Sequence, residues 1–213
     1  MVTGTSDADT ITASVGSESI DGGAGTDMLQ YTSGSTTAVI TQESGKTVVT
    51  NTATGKVDTL SNIERIRFSD LSIAFDVGAT QSGGEAQLLL GAVLGKTLTA
   101  LKKPLLGTVI DLFDQGYTMP QLSGALMRLD IWGILANGGN ATATNTQIAN
   151  YLLSTVNKVV PDSLTLAAAV VSLDAETGAS QGNFLSTLAL SDANQTQVGL
   201  VGLLTTGLEY GGV

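Results

Sequence analysis

Residues 4–30 divide into three consecutive blocks of nine, 4–12, 13–21 and 22–30. The third reads Gly22-Gly23-Ala24-Gly25-Thr26-Asp27-Met28-Leu29-Gln30, with an acid in its sixth place and an aliphatic residue in its eighth. The first two blocks are degenerate but in phase. Asp9, Glu18 and Asp27 fill the sixth place, and Ile11, Ile20 and Leu29 fill the eighth. Such a period constrains the fold more than composition does. A nine-residue unit cannot bury its own apolar side chain and must stack on its neighbours. Glycines allow the turns positive φ and expose backbone carbonyls, and the acid adds an anionic oxygen.

Block 22–30 matches G-G-x-G-x-D-x-U-x at every fixed position, and the chain resembles RTX, or hemolysin-type, calcium-binding repeat proteins. The resemblance implies a parallel β-roll in which successive turns fall on alternate sides, so that blocks one and three share a side. Calcium takes six to eight oxygen ligands, which carbonyls and a few carboxylates supply. The expected ligands are the side chains of Asp9 and Asp27 with turn carbonyls of Gly4, Gly22, Ala24 and Gly25. Glu18, on the other side without a same-side repeat, is expected to bind weakly or not at all. Further on, Asp58-Thr59-Leu60-Ser61-Asn62-Ile63-Glu64-Arg65-Ile66-Arg67-Phe68-Ser69-Asp70 resembles the D-T-L-x-N-I-E-x-x-x-F-x-D segment that closes such repeat regions. It should cap the roll and protect its open edge. Ile66 and Phe68 alternate with Arg65 and Arg67, as in a half-buried strand.

Charge supports a cation. The formal net charge is -10, and no lysine or arginine precedes Lys46, whereas Asp7, Asp9, Glu18, Asp21 and Asp27 all do. The excess argues against nucleic acid or anionic lipid as a partner. Without cysteine there are no disulfides, and without histidine the commonest general base is missing. No basic segment followed by an apolar one marks a cleavable leader, and polar residues or glycines break every candidate membrane span. The chain opens almost directly on a repeat, as expected of a C-terminal piece of a longer protein.

Residues 37–41 and 46–50 are β-branched runs around a turn at 42–45, a hairpin. After the linker Gln81-Ser82-Gly83-Gly84 the apolar period becomes helical. Helices are expected at 85–94, 105–115, 120–127, 131–136, 146–158, 163–174, 182–190 and 194–208. Pro120 suits a first turn, Thr144-Asn145-Thr146-Gln147 reads as a capping box, and Gly116, Gly138, Gly139 and Gly178 read as helix stops. Gly84-Glu85-Ala86, Asp114-Gln115-Gly116, and residues 178–185 followed by Ser191-Asp192-Ala193-Asn194 resemble the helical domain of unknown function DUF4214. Trp132 departs from that family's pattern, and the family implies no chemistry.

Three motifs suggest catalysis and fail on inspection. Gly178-Ala179-Ser180-Gln181-Gly182 spells a hydrolase elbow, but the chain has no histidine base, so Ser180 reads as a helix N-cap. Residues 91–97 are one short of a phosphate loop. Asp111 and Asp114 share a helix face, which by default is a solvated acidic edge.

The expected fold is α+β: a short parallel β-roll with a β cap over 1–80, then an all-α region over 81–213. The expected role is a non-enzymatic, calcium-binding structural or secretion module of a secreted or surface-attached bacterial protein, such as an adhesin or surface-layer tail. The alternative is an accessory module of a secreted hydrolase whose catalytic domain lies upstream. Partners beyond calcium would be upstream domains, cell-surface components, or a second copy meeting through apolar helices, with small residues in 164–171 suiting a dimer seam.

Overall fold

In a computed structural model the described residues are 1–140, 142–175 and 178–211. The first four strands are three residues or shorter: β1 Val2–Thr3, β2 Thr10–Thr12, β3 Ser19–Asp21 and β4 Met28–Gln30. They alternate between two sheets, β1 pairing in parallel with β3, and β2 with β4. A 3-10 turn at Ser35–Thr37 leads to the hairpin β5 Ala38–Glu43 and β6 Lys46–Asn51. Its two-residue turn sets both Ser44 (φ 51°) and Gly45 (φ 76°) left-handed, which matches the twist of the strands it joins. β7 Val57–Ser61 accepts β6 on one side, antiparallel, and β3 on the other, parallel. β8 Arg65–Arg67 joins β4 in parallel, and β9 Ser72–Ala74 runs antiparallel beside β8.

The period explains this arrangement. Parallel register places Ile11 beside Leu29 and Leu29 beside Ile66 in one sheet. In the other it aligns Val2, Ile20 and Leu60. Leu29, Ile66, Ile20 and Leu60 are almost wholly buried, and with Ile63, Phe68 and Val49 they form one apolar cluster. Strands this short are marginal alone, so these columns hold the sheets together.

The helical part comprises α1 Ser82–Leu101, α2 Lys103–Asp114, α3 Met119–Met127, α4 Trp132–Ala136, α5 Asn145–Asn157, α6 Ser163–Asp174, α7 Gly178–Leu190, α8 Asp192–Val198 and α9 Leu200–Thr206. α1 is central, touching α2, α5, α7 and α8, and its residues 88–90 are three buried leucines. It bends at Gly95, whose φ is 73°. Capping boxes open α3 and α5, at Thr118 with Gln121 and at Thr144 with Gln147. The helix expected over 194–208 is instead two helices parted by the left-handed Gly199, followed by a strand. That strand, β10 Leu208–Tyr210, returns to the sheets and pairs antiparallel with β9. The final orders are β1-β3-β7-β6-β5 and β10-β9-β8-β4-β2, two mixed five-stranded sheets. The fold is α+β. Among the described residues no helix is long and apolar enough to cross a membrane.

One buried ion cluster ties sheet to helices. Arg65 is only 5 % exposed, not the outward-facing residue its alternation suggested. Its guanidinium donates to Asp76 at 2.8 and 3.3 Å and to Asp114, at the end of α2, at 2.5 and 2.9 Å. Asp76 also accepts from the Gly83 amide in the first turn of α1.

Two stacks of acidic turns as the candidate functional site

The register that aligns the apolar residues also aligns the acids two places before them. On one side the turns before β2, β4 and β8 bring Asp9, Asp27 and Glu64 into a column. The Asp9 amide donates to Asp27 Oδ1 at 2.8 Å, and the Asp27 amide donates to Glu64 Oε2 at 2.8 Å. On the other side the Glu18 amide donates to Asp58 Oδ1 at 2.9 Å. Asp27, Glu64 and Asp58 thus each tie down the turn above.

All six residues singled out in the sequence lie in the first two turns of the longer column. Gly4 and Gly22 are there because side chains would not fit. A Cβ on Gly4 would stand 2.0 Å from the Gly22 carbonyl oxygen, and one on Gly22 would stand 1.9 Å from that of Asn62. The Ala24 amide donates to the Thr5 carbonyl at 3.2 Å, and Gly25 packs against the backbone of Asp7 and Ala8. Asp9 folds back on its own turn, its Oδ2 accepting from the Thr5 amide at 2.6 Å and the Thr5 hydroxyl at 2.9 Å.

Asp27 is the unusual member. It is wholly buried, and while Oδ1 is bonded, Oδ2 has no hydrogen-bond partner among the described residues. A buried carboxylate oxygen without a partner costs several kcal/mol unless a cation compensates it. Next to it, burial pushes the Glu64 carboxyl up, and repulsion from Asp27 adds to the shift. Among the described residues no three His, Cys, Asp or Glu side chains gather around one point. A cation here would therefore take most of its ligands from turn carbonyls, as calcium readily does. The side chains present there, Asp27 and Glu64, offer only oxygen, the donor that ion takes.

Glu64 and Asp58 do not stand out in the sequence as column members, because their segment reads as a cap. Their signal is present in the sequence. Acid, any residue, aliphatic recurs as Asp58-Thr59-Leu60 and Glu64-Arg65-Ile66, like Asp9-Thr10-Ile11, Glu18-Ser19-Ile20 and Asp27-Met28-Leu29. Glu18 accordingly has a same-side partner after all, in Asp58.

The other motifs find structural places. Ser180 lies inside the first turn of α7 and is not its N-cap, because the helix starts at Gly178. Gly182 lets α7 cross α3 closely, since a Cβ there would stand 2.7 Å from the Pro120 carbonyl oxygen. Residues 91–97 belong to α1 around its bend, and Asp114 is spent on Arg65 while Asp111 is exposed. Comparison with protein-family models, with curated proteins and with solved structures finds no match.

Proposed function

We propose that residues 1–80 form a short RTX-type β-roll, capped by the antiparallel strands, that binds calcium in the Asp9–Asp27–Glu64 column. In this reading Asp27 and Glu64 supply carboxylate oxygens, Asp9 orders the outer turn, and carbonyls from the turns holding Gly4, Gly22, Ala24 and Gly25 complete the shell. Bound calcium neutralises the column and draws its turns together. The role is structural and not catalytic: a module of a secreted or surface-attached bacterial protein that is loose where calcium is scarce and firm outside the cell, because ligand binding adds to folding free energy. Its helical part serves as the platform on which the roll is mounted, in keeping with the resemblance to DUF4214.

The observation that carries the reading is the wholly buried, unpartnered Oδ2 of Asp27. The test is calcium titration by calorimetry into chelator-stripped protein and into Asp27→Asn. The wild type should bind saturably and melt higher with calcium. Asp27→Asn should lose the binding, yet melt higher than wild type in chelator, because a buried charge is gone. Absence of binding by the wild type would sink the reading.

A further inference from the structure

The two acidic columns also differ in their counterions. Among the described residues the Asp9–Asp27–Glu64 column has no basic side chain as a hydrogen-bond partner, whereas the Glu18–Asp58 column contains an ammonium. The Lys56 side chain is 11 % exposed and Asp58 is 1 % exposed, and Nζ lies 2.9 Å from Asp58 Oδ2. The same Nζ donates to the Ser14 carbonyl at 2.5 Å, in the turn above. It also lies 5.3 Å from the centroid of the Tyr31 ring, whose hydroxyl donates to Asp58 Oδ2 at 2.8 Å. Glu18, whose Oε2 accepts from the Ser14 amide at 3.0 Å, completes the surroundings, and Lys56 is among the charges that favour its ionised form.

A turn carbonyl from one layer and a buried carboxylate from the next are the oxygen donors a bridging cation needs. Here they converge on a cation that belongs to the chain. We infer that Lys56 is a built-in substitute for a metal ion, and that the Glu18–Asp58 column is a latent calcium site which its ammonium keeps closed. This rests on reading the acidic turns as cation sites. Glu18 and Asp58 carry two formal negative charges against one on Lys56, so a dication would balance the site better than the ammonium does. The lysine gives something calcium cannot, namely permanence. One side of the stack is held whatever the calcium supply, and it offers the other a template on which to order when calcium arrives.

The test is to replace Lys56→Ala and count calcium ions by calorimetry, with terbium luminescence excited through tyrosine as a local reading, since Tyr31 borders the site. Lys56→Ala should be less stable than wild type in chelator, should regain stability in calcium, and should bind one more ion than wild type. It should also gain tyrosine-sensitised terbium emission, and adding Tyr31→Phe should remove that gain. Lys56→Ala/Asp58→Asn, lacking both charges, should fold in chelator and bind only as many ions as wild type. Equal ion counts in Lys56→Ala and wild type, with no recovery in calcium, overturn the inference even where the wild type binds calcium normally. If the wild type binds none but Lys56→Ala binds one, the latent site stands and the proposed role of Asp27 falls.

Discussion

Replacing Arg65 by methionine removes the guanidinium while keeping a side chain that can fill much of its space. Four donor contacts end, two to Asp76 and two to Asp114. The partners are left unequal, since the Asp76 side chain is 6 % exposed and that of Asp114 is 30 % exposed. Asp114 can turn to water, but Asp76 cannot, and its charge stays buried and unpaired. Breaking a buried pair in this one-sided way costs about 3–5 kcal/mol, whereas removing both partners together costs much less. For a chain of this size that corresponds to a fall in Tm on the order of 6–20 °C. Urea and thermal unfolding followed by circular dichroism in the β and helical bands would measure it. Because Arg65 lies on β8 and its partners flank α1 and α2, both bands should shift together. Arg65→Met/Asp76→Asn should recover more than half of the loss. A fall below about 1 kcal/mol for Arg65→Met, or no recovery in the double variant, would refute the view that this cluster joins sheet to helices.

Gly22→Ala should cost about 1–3 kcal/mol or more, because the added carbon meets the Asn62 carbonyl at 1.9 Å, while Gly16→Ala, with nothing within 4 Å, should stay within about 0.5 kcal/mol. Asn194→Ala should cost about 1–3 kcal/mol in chemical denaturation, since its buried amide donates to the Leu88 and Ala189 carbonyls at 2.8 and 2.7 Å. In chelator, Glu64→Gln should gain on wild type as pH rises above 4.5. The folded state holds the Glu64 carboxyl above that ordinary value, so its penalty is absent below the ordinary value and complete above the raised one. A melting-temperature difference that does not change between pH 4 and 7 would contradict this.

Much of the fold can be read from the sequence because its signals are local and periodic. The nine-residue phase gives the parallel pairing of β2 with β4, and the capping box at Thr144 gives the start of α5. What escapes is long-range. Nothing near Leu208 says that it pairs with Ala74, and nothing in the alternation of 65–68 says that Arg65 faces inward to an aspartate 49 residues away. The candidate site divides the same way. Asp9 and Asp27 follow from the period, but Asp58 and Glu64 join the columns only after the hairpin 38–51 interrupts it. Lys56 cannot be seen as a counterion until its stack is built.

The account stands most directly on Asp27. The deciding measurement is a crystal structure grown in calcium with anomalous data. The account predicts an ion bonded to Asp27 Oδ2 at about 2.3–2.6 Å, with turn carbonyls in its shell and Lys56 still in place on the opposite side. Ordered turns with Asp27 Oδ2 bonded only to water or protein would contradict it.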